Sequence, residues 1–267
     1  MSCKLKLFKQ LHQQRKPLIL GNVHDLNSAL ILENAGFEAL GTTSWGVANY
    51  HGKSDGENLS FSQLLSLVKA IVENVSVPVS VDIEAGYSDK VDEVASNVIK
   101  LADVGAVGIN IEDSKKHDKG LYGIMEQCAR ITKIRDALDS RGYGDFYINA
   151  RTDTYLQQVD SAFDSTLSRS IAYIDSGADG IFVPGMTCID LIKKATKELC
   201  APLNILALPG FDDFSMLAKT GVSRISFGNA MSDYLISKTE KIANIALKNN
   251  SVASFFDHDP IRYDFST

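Results

Sequence analysis

Residues 101–113, LADVGAVGINIED, decide how the chain is read. An amphipathic stretch ends at Gly105, and a short run rich in β-branched residues follows. Glycine just past a helix accepts the left-handed backbone at little cost. The stretch therefore predicts a helix, a turn and a buried strand. The same junction recurs as NAGFEAL (34–40), DSGADGI (175–181) and KTGVSRI (219–225). Extending the pattern in both directions predicts strands over 17–23, 37–43, 77–85, 106–113, 145–153, 178–184, 203–209 and 223–228. Helical stretches are predicted over 25–35, 60–74, 89–104, 121–140, 157–176, 187–199, 212–220 and 229–248. Strands alternating with helices imply a parallel sheet. Eight such units predict an α/β fold, a (β/α)8 TIM-type barrel with a C-terminal helical tail. A doubly wound open sheet is the alternative, but no GxGxxG follows the first strand. Residues 1–250 are expected to form the barrel domain. Residues 251–267, SVASFFDHDPIRYDFST, fall outside the repeat, and Phe255 and Phe256 suggest a tail packed on a neighbouring subunit.

Charge and cysteines narrow the function. Lys and Arg number 27 against 33 Asp and Glu, a net charge of −6. That balance argues against a general nucleic-acid or anionic-membrane binder, which needs a basic face. Cys3, Cys128, Cys188 and Cys200 form no CxxC pair, so a disulfide framework or zinc site is not expected. The N-terminal residues lack the apolar core of a signal peptide, and no run reaches the ~20 apolar residues of a membrane span. A cytoplasmic protein is the expectation.

Barrel active sites are built from the loops after the strands, so the strand ends carry the functional reading. In SVDIEAGY, Asp82 and Glu84 lie two apart and share one strand face. Glu112, ending the next strand, converges with them. Three carboxylates at one mouth repel unless a cation or proton compensates. Oxygen ligands without His or Cys suit Mg2+ or Mn2+; a solvated rim is the alternative. Arg151, in INARTD, suits a carboxylate or phosphate, or else a structural pair with Asp153 or the acidic cluster. The small-residue turn GTTSWG, with Thr43, Ser44, Trp45 and Gly46, offers N–H groups and hydroxyls to an anion. The polar loop SKKHDKGLYG (114–123) reads as a lid. Its Lys115, Lys116, His117 and Lys119 are candidate acid/base or anion contacts, with Lys116 taken as the catalytic candidate. Asp25 is expected to cap the helix that follows it.

The order GNVHDLNSALILENAGFEALGTTSWG, SDGENLSF, VDIEAGY, GINIED and ARTD resembles the isocitrate lyase/phosphoenolpyruvate mutase superfamily. The -ALPG- and GTTSWG segments look like its phosphonomutase-like (carboxyvinyl-carboxyphosphonate phosphorylmutase-like) branch. The resemblance implies a barrel enzyme that binds Mg2+ and a small α-oxo or 2-hydroxy acid. It implies Asp82 as main metal ligand, with Glu84 and Glu112 holding the metal or its waters. It places Asp55 beside the substrate, Ser44, Trp45 and Gly46 on its carboxylate, and Arg151 on the substrate. It also implies a homo-oligomer, dimer or tetramer. Two lid motifs of the superfamily, K-[KR]-C-G-H and K-T-N-S, are missing. The expected activity is a lyase or decarboxylase on an oxaloacetate- or malate-like acid, cleaving through an enolate. The alternatives are a phosphoenolpyruvate/phosphonopyruvate mutase or hydrolase, and a catalytically silent metabolite-binding barrel.

Overall fold

A computed structural model describes residues 2–116, 119–259 and 263. Among them are nine strands: β1 (Leu18–Ile19), β2 (Gly21–Val23), β3 (Leu40–Thr42), β4 (Val79–Asp82), β5 (Gly108–Glu112), β6 (Tyr147–Arg151), β7 (Gly180–Val183), β8 (Leu203–Leu206) and β9 (Arg224–Ser226). All pairings are parallel, in the order β1-β9-β8-β7-β6-β5-β4-β3-β2. Only Leu20 separates β1 from β2, so the two ends of that order are one stave. Leu20 N–H donates to Ile225 O at 2.9 Å, and Gly21 N–H to Ala39 O at 3.1 Å. The first stave thus pairs on both sides and closes the (β/α)8 barrel. Each observed stave falls inside a predicted strand.

The junction glycines behave as the sequence requires. Gly36, Gly105, Gly177 and Gly221 have φ of 97°, 103°, 106° and 87°, the left-handed region that a side chain disfavours. Each turns a helix end into the next stave. The long C-terminal helix spans Ala230–Asn249, and a short 3-10 turn, Ala253–Phe255, follows. Leu247, Phe255 and Phe256 are exposed on this segment. Residues 260–262 and 264–267 of the tail lie outside the described residues. No helix among the described residues is long and apolar enough to cross a membrane.

Two helices were not expected. Ser44–Tyr50 is helical, where the sequence suggested a turn. Ser2–Leu11 forms a helix whose Leu5, Phe8 and Leu11, three residues apart, are buried. Phe8 meets the Tyr147 ring edge-on at 5.5 Å, and His12 stacks on it at 4.1 Å. Tyr147 begins β6, so this helix plugs the floor of the barrel and leaves the opposite end for ligands.

Candidate active site

A cleft of about 240 Å³ lies at the C-terminal ends of the strands. Thr43, Ser44, Trp45, Asp55, Asp82 and Arg151 all line it. Residues from four separate segments, expected to meet, therefore do meet. Asn22, a polar residue at the end of the first stave, also lines it, as do Asn110 and Ser226, which were not singled out from the sequence. The signal for those two was their inward register on β5 and β9, which becomes readable only once the barrel closes.

Asp82 ends β4 and is held from its backbone side. Its N–H donates to Thr42 Oγ1 at 2.9 Å, and its Oδ1 accepts Glu84 N–H at 3.3 Å. The Ser44 N–H reaches its Oδ2 at 3.4 Å. Among the described residues Asp82 has no ion-pair partner, and its carboxylate faces the cleft. Asp55 stands near it. Burial, then the Asp82 charge, raises the Asp55 pKa above the ordinary carboxylate range. Its Oδ1 is buried without a hydrogen-bond partner among the described residues.

Glu84 and Glu112 sit deeper and are answered by the chain's own cations. Lys116 Nζ lies 2.8 Å from Glu84 Oε2 and 2.5 Å from Glu112 Oε1. Arg151 Nη1 lies 3.0 Å from Glu112 Oε2, while its Nε and Nη2 reach the two oxygens of Asp153 at 2.6 and 3.0 Å. Burial raises the Glu84 pKa and pushes Glu112 up to about 8. Burial works to lower the Lys116 pKa, but the Glu112 and Glu84 charges outweigh it and raise it. Lys116 does not line the cleft. Arg151 makes the structural pairs its sequence position allowed, with Glu112 and Asp153, and also lines the cleft.

Local backbone supports this arrangement. Glu84, Glu57 and Tyr87 are non-glycine residues with φ of 51°, 60° and 62°. Such conformations cost energy and persist when neighbours enforce them. Here Glu57 N–H donates to Glu84 Oε1, and Tyr87 N–H to Glu57 Oε1, both at 2.8 Å. The 54–60 segment is thereby tied to the end of β4, which brings Asp55 over the cleft. Thr43 sits at the N-cap of the Ser44–Tyr50 helix, so Ser44 and Trp45 open its first turn. Gly46 does not line the cleft. A Cβ there would meet Thr43 Cγ2 at 2.8 Å and His24 Cβ at 2.9 Å, so glycine permits close packing. Asp113 is fully buried and accepts from Thr152, Arg169 and Tyr173, pinning β5 to the helix Ala162–Asp175. His117 lies outside the described residues.

The phosphoenolpyruvate phosphomutase family model matches residues 8–247. The chain belongs to that family, within the isocitrate lyase/phosphoenolpyruvate mutase superfamily. An uncharacterised protein of Mycobacterium tuberculosis (strain H37Rv) is 36% identical over 222 residues, 83% of this chain and 81% of that one. The 2,3-dimethylmalate lyase of Eubacterium barkeri is 31% identical over 196 residues, 72% of this chain and 66% of the lyase. A crystal structure from Burkholderia cenocepacia J2315, provisionally designated a phosphonomutase, is 36% identical with a TM-score of 0.84, covering 91% of this chain and 98% of that one. The superfamily is one of lyases and phosphonomutases, which makes this chain an enzyme by kinship.

Proposed function

We propose that the chain is a Mg2+-dependent lyase or decarboxylase acting on a small α-oxo or 2-hydroxy dicarboxylate of the oxaloacetate or malate type. The observation that carries this reading is the juxtaposition of Asp82, Asp55 and Arg151 around one cleft. Among the described residues no three His, Cys, Asp or Glu side chains form a metal cage. Mg2+ does not need one, because it typically binds through one or two carboxylates and fills its remaining positions with water and substrate oxygens. Asp82, outside any ion pair among the described residues, fits that mode, with Asp55 beside it on the substrate's side of the cleft. Glu84 and Glu112 then act behind them, their charge balanced by Lys116 and Arg151. The bound ion would supply Lewis-acid stabilisation of negative charge developing on the substrate.

The chain's own groups do the rest. Arg151, lining the cleft, binds the distal carboxylate with the N–H groups its pairs leave over, and its two ion pairs hold the guanidinium plane still, which favours orientation over search. The hydroxyls of Thr43 and Ser44, which line the cleft, bind the proximal carboxylate. Asp55, whose pKa burial raises, holds a proton beside the substrate and gives it to the departing fragment. Lys116 keeps Glu84 and Glu112 in place and so sets the position of the Asp82 loop.

A phosphonate reaction is the second reading, favoured by the family model and the Burkholderia relative. Purified protein with Mg2+ is assayed against oxaloacetate, alkylmalates and phosphonopyruvate. Pyruvate or another keto acid released without phosphate supports the lyase. Interconversion of phosphonopyruvate and phosphoenolpyruvate, or phosphate release, supports the phosphonate enzyme. No turnover on any of them leaves the silent barrel. The exposed Leu247, Phe255 and Phe256 support self-association through the C-terminal segment, which sedimentation measures.

A further inference from the structure

The lumen beneath the cleft holds a buried cation that the proposed chemistry does not use. Arg224, on β9, is 1% exposed. Its Nη2 donates to Asn110 Oδ1 at 3.2 Å, while Nε and Nη1 find no partner among the described residues. Burial brings its pKa down only to about 10, so it stays a cation at neutral pH. TIM barrels ordinarily fill such interior layers with branched apolar side chains, and an unpaired buried charge is costly. A specific role is therefore the question.

The answer lies in what Arg224 does to an amide. Asn149 Nδ2 donates to the same Asn110 Oδ1 at 2.9 Å. Both lone pairs of that oxygen are now engaged. A guanidinium carries donors and no acceptor, so the Asn110 atom it touches has to be the oxygen. The amide cannot flip without setting donor against donor. Its Nδ2 group points the other way, and among the described residues it donates to no protein acceptor. Asn110 lines the cleft, and it is the register partner of Asp82 across β4 and β5. An N–H donor is thus held on a cleft-lining residue one stave from Asp82.

We propose that Asn110 donates an N–H to a carboxylate or carbonyl oxygen of the substrate, and that Arg224 is the positioning residue that aims it. This rests on the reading of the cleft as an α-oxo acid site. Asn110 accordingly discriminates for an oxygen acceptor at that point and against a donor or an apolar group.

Oxalate, a planar dianion with adjacent carboxylates, is the probe, titrated calorimetrically in Mg2+. Asn110→Ala should weaken it about 10- to 100-fold, the value of a hydrogen bond to a charged group. Asn110→Ser, which restores a donor, should recover part of that. Arg224→Met should weaken it about fivefold without touching the ligand, and Arg224→Lys, still donor-only, should weaken it less. Side-chain 15N relaxation of Asn110 in ligand-free protein reads the aiming directly: Arg224→Met should disorder the amide and Arg224→Lys should not. If Arg224→Met does not fold, Arg224→Gln takes its place, because glutamine can offer either an N–H or an oxygen. Unchanged oxalate affinity in Asn110→Ala overturns the donor role. Unchanged Asn110 order without the arginine overturns the positioning role. Failure of the unaltered protein to bind oxalate overturns the α-oxo acid reading and the donor role with it, while the relaxation measurement still decides Arg224.

Discussion

At the mouth of the barrel, buried carboxylates are matched by cations. Lys116 bridges Glu84 and Glu112, and Arg151 bridges Glu112 and Asp153. At the floor, Arg224 has no carboxylate at ion-pair distance among the described residues; the Asp82 charge reaches it only from further off, and the rings beside it are neutral. Burial, then the Arg224 charge, lowers the His12 pKa to about 3, and burial raises the Tyr147 pKa. Both rings are therefore uncharged near neutral pH. The mouth concentrates charge of both signs and, among the described residues, leaves Asp82, with Asp55 beside it, outside any ion pair. The floor instead surrounds a single charge with dipoles. Paired charges can be exchanged for a ligand's charges; a charge held by amides and neutral rings serves to orient what it touches.

The largest test of this contrast removes the Asp82 carboxylate. Asp82→Ala should lower Mg2+-dependent turnover about a thousandfold, near 4 kcal/mol, as expected when a metal's main ligand is lost. A Mg2+ response equal to that of the unaltered protein would place the cation elsewhere. Next comes the matched pair behind it. Lys116→Met leaves Glu84 and Glu112 buried together with one fewer cation and should cost about 3 kcal/mol in urea denaturation. Adding Glu84→Gln should return part of that loss. A cost under about 1 kcal/mol, the range of exposed pairs, would show that Lys116 does not neutralise the mouth.

The contrast also marks what could be read beforehand. The glycine junctions made the barrel legible, because a left-handed turn between helix and strand is a local property of four or five residues. The strand ends made Asp82, Glu112 and Arg151 legible, since period-two alternation sends such residues inward; Glu84 lies past the end of β4 with a φ of 51°, so the shared strand face expected for it is not what places it. The Lys116 bridge was not legible, because its partner Glu84 lies 32 residues away and meets it only after β4 and β5 pair. Arg224 was missed for a different reason. In SRISFG an arginine reads as solvated, and nothing local says that its side chain will reach Asn110 on β5 and its carbonyl Asn204 on β8. The N-terminal helix was missed because it lies outside the repeating unit, although its buried residues follow a helical spacing.

The floor makes its own prediction in acid. The His12 pKa falls from 6.5 to about 3 on folding. Between those values the unfolded chain binds a proton that the folded chain refuses, so this group's share of stability is present above pH 6.5 and is lost as pH falls toward 3. From about pH 6.5 to about pH 5 that loss is about 2 kcal/mol, at 1.36 kcal/mol per pH unit. Urea denaturation at the two pH values should show a shallower acid loss in His12→Leu than in the unaltered protein. Equal losses would mean that the helix Ser2–Leu11 yields to acid by another route.

The smallest expected effect tests whether every acid at the mouth belongs to the site. Asp25 follows the first stave, yet it is a helix cap. Its Oδ1 accepts Ser28 N–H at 2.7 Å, and Ser28 Oγ accepts Asp25 N–H at 3.1 Å, a reciprocal box at the start of Leu26–Asn34. Asp25→Ala should cost about 1 kcal/mol of stability, the usual value of such a cap, and leave oxalate and Mg2+ binding unchanged. Asp25→Ser should recover most of the loss, because serine caps nearly as well. Ligand affinity that fell while stability held would move Asp25 into the site. The boundary between the acids that bind and the acids that build would then run one stave further round the barrel than the cleft indicates.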